Sequence, residues 1–284
     1  MTFLASRFLL LFAFALTPIT SLSADIRAFQ GHKAIIEGEI VAGDFDRFVK
    51  TIDALGMEVD DISVYSKGGD VVEAIAIGTL IRELRLHTTV PRGFGSRGSV
   101  CPGIKEQGNC TCLSACVLVF VGGVHRYGNV LGMHRSFVSH DVLKTISGTE
   151  AITASTALMH RVYFYLNEMA VPQQVIDIMH STSSQEITFL EHDIVSRYLS
   201  GYIPQYGELL LSRCGNWKGA DSQLRLLDRK KSQSGLSSTE HKQYDKLVNA
   251  VRHTIPLCES NADVQLRNEV FGEVMASAKK RIKR

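Results

Sequence analysis

Beyond residue 24 the chain has no apolar run long enough to cross a bilayer, which takes about 20 residues. It has no GxxxxGK[ST] loop, so no P-loop nucleotide site is expected. No CxxC pair occurs among its six cysteines, and the usual spacing of a structural zinc site is missing. Charge is not in excess either: the formal net charge is +2, which gives no electrostatic ground for a nucleic-acid partner, and none is expected. There is no internal repeat and no low-complexity tract. At 45% hydrophobic and 21% charged residues, what remains is the composition of an ordinary globular protein.

The first residues differ from the rest. Arg7 precedes an apolar stretch over 8–16, Thr17-Pro18 breaks it, and Ser21-Leu22-Ser23-Ala24 offers small residues for cleavage. This is the pattern of a secretory leader over 1–24, and it predicts an exported, periplasmic or secreted protein with no span in the mature chain. In an oxidising compartment six cysteines favour disulfides over a metal site built from Cys112, Cys116 and histidines. The isolated Cys214 and Cys258 are expected to pair with each other. The group Cys101, Cys110, Cys112 and Cys116 is expected to staple its own loop. No metal or other cofactor is expected.

Residues 33–41 are rich in β-branched side chains and read as a strand. Phe45, Phe48, Val49, Ile52 and Leu55 fall at helical spacing over 44–55. Ile62-Ser63-Val64-Tyr65 is a short strand ending in the Gly68-Gly69 turn, followed by an amphipathic helix over 71–84 and a strand over 87–90. Alternation of strand and helix predicts a parallel sheet with crossover helices. Residues 91–111 form a glycine-rich insertion. Ser114 opens an apolar helix, residues 130–133 make a strand ending at His134, and helices are expected over 150–169 and 172–179. Beyond Gly201 three charged, helix-favouring stretches (221–231, 238–253, 263–280) predict a helical C-terminal appendage over 205–284. An α/β domain is expected over 25–204.

Within that domain, three pieces carry chemistry by their order. Ser114 stands at a helix start beside the Ala115 N–H, where the helix dipole and free amides are expected to stabilise an oxyanion. The Gly68-Gly69 turn offers a second amide at a neighbouring strand end. His134, twenty residues after Ser114, ends an adjacent strand within reach of the serine. Each has an ordinary structural reading: an N-cap serine, a glycine turn, a strand-end histidine. Together they suit acyl transfer through a serine nucleophile.

Ser66-Lys67-Gly68-Gly69, the helix 71–84, Leu113-Ser114-Ala115 and Met133-His134-Arg135 together resemble the Clp protease proteolytic subunit family of the ClpP/crotonase superfamily, over roughly 33–203. Within it the chain is similar to an exported bacterial branch with a Cys-x-Ser-Ala-Cys motif. The resemblance implies a repeated β-β-α/βαβ spiral core, a serine peptidase acting on peptide or protein, and a homo-oligomer of stacked rings. It makes Ser114 the nucleophile, His134 the general base, and the amides of Gly68 or Gly69 and Ala115 the oxyanion hole. Lys67 departs from the family's proline. The family's third member is an aspartate near 184–190, where Glu186 is the one carboxylate; Asp177 is the alternative, and a dyad is the third. A catalytically inactive relic that binds peptide or protein in the same groove is the competing reading.

Overall fold

A computed structural model describes residues 23–91, 110–128, 130–215 and 217–283. The leader expected over 1–24, apart from Ser23 and Ala24, and most of the 91–111 insertion lie outside the described residues. The strands are β1 (Asp25–Phe29), β2 (Lys33–Ile40), β3 (Asp61–Gly69), β4 (His87–Thr89), β5 (Cys112–Leu113), β6 (His125–Tyr127), β7 (Leu131–Met133), β8 (Thr188–Phe189) and β9 (Gly201–Tyr202). Through the α/β part run α1 (Asp44–Leu55), α2 (Val71–Glu83), α3 (Ala115–Phe120), α4 (His140–Leu143), α5 (Gly148–Glu168), α6 (Gln173–Ser181) and α7 (His192–Ile194). The C-terminal helices are α8 (Pro204–Cys214), α9 (Trp217–Gln233), α10 (Ser238–Asn249) and α11 (Ile255–Arg281). The fold is mixed α/β with a central sheet and a helical C-terminal part, as the alternating pattern predicts.

The sheet forks at β3. β2 lies parallel along one side of β3. On the other side, Asp61 to Ser63 pair with β4, but at Ser66 the partner is Cys112 of β5. One branch continues β4–β6–β9 and the other β5–β7–β8, each ending in an antiparallel strand. The strand ends of the second branch carry the residues singled out above.

Local chemistry explains the main elements. Asp70 caps α2, its carboxylate accepting from the amides of Val72 (2.7 Å) and Glu73 (3.0 Å). Ser147 and Glu150 form a reciprocal capping box at the start of α5. α3 is apolar on every side, with Val117, Leu118, Val119 and Phe120 all buried, because it sits inside the core rather than on its surface. α2 crosses it closely, and a Cβ on Gly122 would run into the Gly78 backbone. The carbonyls at the end of α3 are taken by two arginines. Arg82 Nε donates to Gly122 O (2.9 Å) and its Nη2 to Val121 O (3.0 Å); buried Arg126 donates to Gly123 O (3.1 Å) and to Met169 O. Burial, reinforced by neighbouring Arg82, pulls Arg126 down to about 9.

The C-terminal helices fold back on this core. Met275 and Ala278 of α11 join the main apolar cluster, and Lys279 pairs with Asp53 of α1 at 2.6 Å. Cys214 and Cys258 are bonded, as expected, and tie α8 to α11. Cys112 is bonded to Cys116, and Cys110 is disulfide-bonded as well.

Candidate active site

Ser114 follows β5 directly and precedes the first residue of α3, the place of an N-cap. It does not cap. Its side chain accepts no amide of α3, and among the described residues its hydroxyl has no hydrogen-bond partner. The backbone explains this: φ is 55° and ψ is −124°, the conformation of the first central residue of a type II′ turn, where glycine dominates. Ser114 N–H donates to Gly132 O of β7 (2.8 Å), and Val117 N–H donates to Ser114 O (3.0 Å). The strand-to-helix corner therefore leaves the hydroxyl of half-buried Ser114 unbonded to the helix it precedes. α3 has only six residues, too short for the expected helix dipole to count for much, which leaves its free amides as the groups that could meet an oxyanion.

The two glycines of the turn have different neighbours. A Cβ on Gly68 (φ 102°) would stand 2.7 Å from Ser114 Cβ, 2.9 Å from Leu113 O and 3.0 Å from Ala115 N. Gly68 therefore packs bare backbone on the serine, which no other residue permits. Its own N–H, however, is taken: it donates to Ser66 Oγ at 3.0 Å. Gly69 (φ 132°) lies instead on β2, where a Cβ would land on the Ile40 carbonyl. The Ala115 N–H donates to no described residue, and it is the free amide adjoining Ser114.

His134 follows β7, whose pairing with β5 sets Leu113 opposite Gly132. Ser114 and His134 thus stand at the same ends of two neighbouring parallel strands. No hydrogen bond joins them. The His134 Nδ1 lies 2.9 Å from the carbonyl of Arg135, and its ring packs on Phe137 with centroids 5.8 Å apart. A carbonyl only accepts, so Nδ1 carries the proton in the neutral ring and Nε2 is left as the acceptor.

Among the described residues no carboxylate holds this ring. Glu186 is exposed, its side chain bonds to nothing described, and its N–H donates to Ser183 O (3.2 Å). Asp177 is exposed on α6 and accepts from Gln173 at 2.8 Å. The position that a third member would fill at Nδ1 is held by main chain. Ser66 was read from sequence only as part of the turn motif, without its role in knotting the turn, and the arginines that finish α3 were not singled out.

A second polar cluster lies in the other branch. His87 Nε2 is 3.1 Å from Asp263 Oδ1, Tyr206 OH donates to the same oxygen (2.8 Å), and Arg267 approaches the other at 3.5 Å. Burial opposes ionisation of Asp263, but the His87 contact, Arg267 and Tyr206 outweigh it and hold the carboxyl below its ordinary value. His125, whose ring meets His87 edge-on and lies tilted against Tyr202, is pushed down by burial and then by His87. This cluster seats α11 against the sheet.

No protein-family model and no curated protein matches the chain. Among solved structures it is similar to a point mutant of ClpP1 from Listeria monocytogenes, at 14% identity and a TM-score of 0.39, over 59% of this chain and 87% of that one. It is also similar to a serine-to-alanine mutant of the 1510-N membrane-bound stomatin-specific protease, at 15% identity and a TM-score of 0.38, over 65% of this chain and 84% of that one.

Proposed function

We propose that the chain is an exported serine hydrolase, of the peptidase class, in which Ser114 is the nucleophile and His134 the general base. The observation that carries this reading is the serine itself. It stands where a cap is the ordinary outcome, in a backbone conformation that costs about 1–3 kcal/mol, with its hydroxyl bonded to nothing described. Acyl transfer requires an available nucleophile, and backbone strain of this kind clusters at functional sites. Ser114 Oγ attacks the acyl carbon while His134 Nε2 takes its proton. The Ala115 N–H receives the developing oxyanion, with Gly69 the second donor, and His134 returns the proton to the leaving group. The Arg135 carbonyl sets the tautomer and supplies less charge stabilisation than a carboxylate; in a full triad, loss of the carboxylate's role costs about 10⁴ in rate.

A peptide suits the surroundings. β8 is the outer strand of its branch; Phe189 on it, Ile187 just before it and Phe137, which packs on the His134 ring, are large apolar side chains left exposed. An extended peptide can pair along such an edge and bury those side chains. α5 exposes Ile152 and Phe164, which fits a homo-oligomer packed through that helix. The disulfides fit an exported protein, and among the described residues no helix is long and apolar enough to cross a membrane.

The missing Ser114–His134 hydrogen bond favours one second reading, a binding module without catalysis. Fluorophosphonate labelling of the oxidised protein separates the two. Labelling of wild type that is lost in Ser114→Ala and His134→Ala supports the hydrolase. A folded, unlabelled wild type supports the binding module.

A further inference from the structure

Ser114 is the middle residue of a closed loop. Cys112 and Cys116 are bonded to each other across Leu113-Ser114-Ala115, with their Cα atoms 5.2 Å apart. Both cysteines are fully buried, Cys112 in β5 between β3 and β7, Cys116 in the first turn of α3. The bond therefore joins strand to helix on either side of the candidate nucleophile, and it does so from the core side.

What the bond opposes follows from the backbone. A serine before an apolar helix has a low-energy alternative: φ negative, ψ extended, hydroxyl accepting an amide of the first turn. Ser114 in that state would have its Oγ engaged and its Cβ off the Gly68 backbone. Two main-chain hydrogen bonds, to Gly132 and from Val117, hold the observed state, and the hydroxyl contributes none. The Gly68 backbone packs on the corner from one side, and the disulfide adds a covalent constraint across it.

We propose that the Cys112–Cys116 disulfide is a positioning element of this site: by tying β5 to α3 it keeps Ser114 out of the N-cap conformation and so keeps its hydroxyl available. Its functional readout rests on the serine-hydrolase reading; its structural readout does not. Because both sulfurs are shielded, the bond acts as a permanent clamp, and the chain acquires a competent Ser114 only in oxidised form. This gives the Cys-x-Ser-x-Cys spacing a physical purpose: one bond encloses the serine and its adjoining amide.

The test compares oxidised full-length wild type with Cys112→Ala/Cys116→Ala and with Cys112→Val/Cys116→Ala, which refills part of the lost volume, the Cys214–Cys258 bond being kept in all three. Labelling is followed over a range of fluorophosphonate concentrations, to separate the inactivation rate constant from probe binding. Backbone ¹³C shifts report φ at Ser114, and circular dichroism reports folding. A folded variant is expected to lose about ten- to hundredfold in inactivation rate constant while probe binding stays within about twofold, because only the reacting geometry is lost. Its Ser114 shifts are expected to move to those of an ordinary N-cap. Wild-type kinetics, or slowed kinetics with unmoved Ser114 shifts, overturn the proposal. So do two variants that both fail to fold, since the bond is then a general staple. If wild type is not labelled, the hydrolase reading falls separately, and the shifts alone decide: moved shifts support the clamp, unmoved shifts overturn it.

Discussion

Substitutions at Ser114 separate a cap from a strained corner by stability alone. Replacing a true N-cap serine with alanine costs about 0.5–2 kcal/mol, whereas glycine at the same place costs only a few tenths. Ser114 makes no cap bond, so Ser114→Ala removes no interaction with α3 and keeps the same positive φ. Its stability is expected within about 0.5 kcal/mol of wild type. Ser114→Gly is different. Glycine enters φ 55°, ψ −124° freely, relieving about 1–3 kcal/mol, and returns about 0.5–1 kcal/mol through the larger entropy of its unfolded chain. A net gain of about 0.5–2 kcal/mol is expected, so glycine is the most stable of the three. Equilibrium urea unfolding at neutral pH, with the slopes compared to confirm an unchanged transition, measures the order. A loss of about 1 kcal/mol or more in Ser114→Ala refutes the reasoning, because the hydroxyl must then be capping α3. A loss in Ser114→Gly refutes it differently, because φ cannot then be positive. On the serine-hydrolase reading both variants are expected to abolish fluorophosphonate labelling, the residue whose removal stabilises the fold being the one the proposed chemistry needs.

Three further outcomes follow. Gly68→Ala puts a methyl group 2.7 Å from Ser114 Cβ at a positive φ; it is expected to cost about 2–4 kcal/mol in urea melts and to lower labelling, and a neutral, fully labelled variant would show that the turn does not touch the serine. Removing the Cys214–Cys258 bond is expected to lower stability by up to about 4 kcal/mol with little effect on labelling of the folded fraction, checked by melting with and without reductant. For pH, burial and then His87 lower the folded His125 below its ordinary value, so as pH falls below about 6.5 the unfolded chain binds this proton first. The contribution is present above that pH and lost on acidification; Asp263, held low in the fold, adds the same sign from about pH 4 downward. His125→Asn is expected to flatten the decline between about pH 7 and 5, and an unchanged slope in unfolding titrations would count against this assignment.

Some of this was legible in the sequence because it is local. The amphipathic period marks α1 over Asp44–Leu55, and the glycine turn followed by apolar spacing marks α2. The Cys214–Cys258 pair could be read by isolation. β1, β6, β8 and β9 were not singled out, the last three having two or three residues each, too few to show a period of two. The fork at Ser66 is invisible to sequence because it depends on which distant strand, β4 or β5, each part of β3 meets. At the site, the order of Gly68, Ser114 and His134 was legible, but what surrounds them was not. A serine before an apolar helix looks the same whether it caps or turns away, and only φ distinguishes them. The family resemblance pointed to Glu186 as the partner of His134, yet the atom at Nδ1 is the Arg135 carbonyl, which no side chain announces.

The two described cysteine pairs sharpen this point, because chain entropy assigns them different tasks. Closing the Cys214–Cys258 loop, a separation of 44, stabilises by about 4 kcal/mol in the loop-entropy treatment; closing Cys112–Cys116, a separation of 4, gives about 2. The long loop gains from restricting an otherwise free helical segment and joins α8 to α11. The short loop gains less and, with its serine held at φ 55°, gives part of that back as backbone strain. A bond placed only for stability would not enclose the one residue of its loop with an unfavourable φ. The short bond makes physical sense if the strained corner is what it is there to maintain.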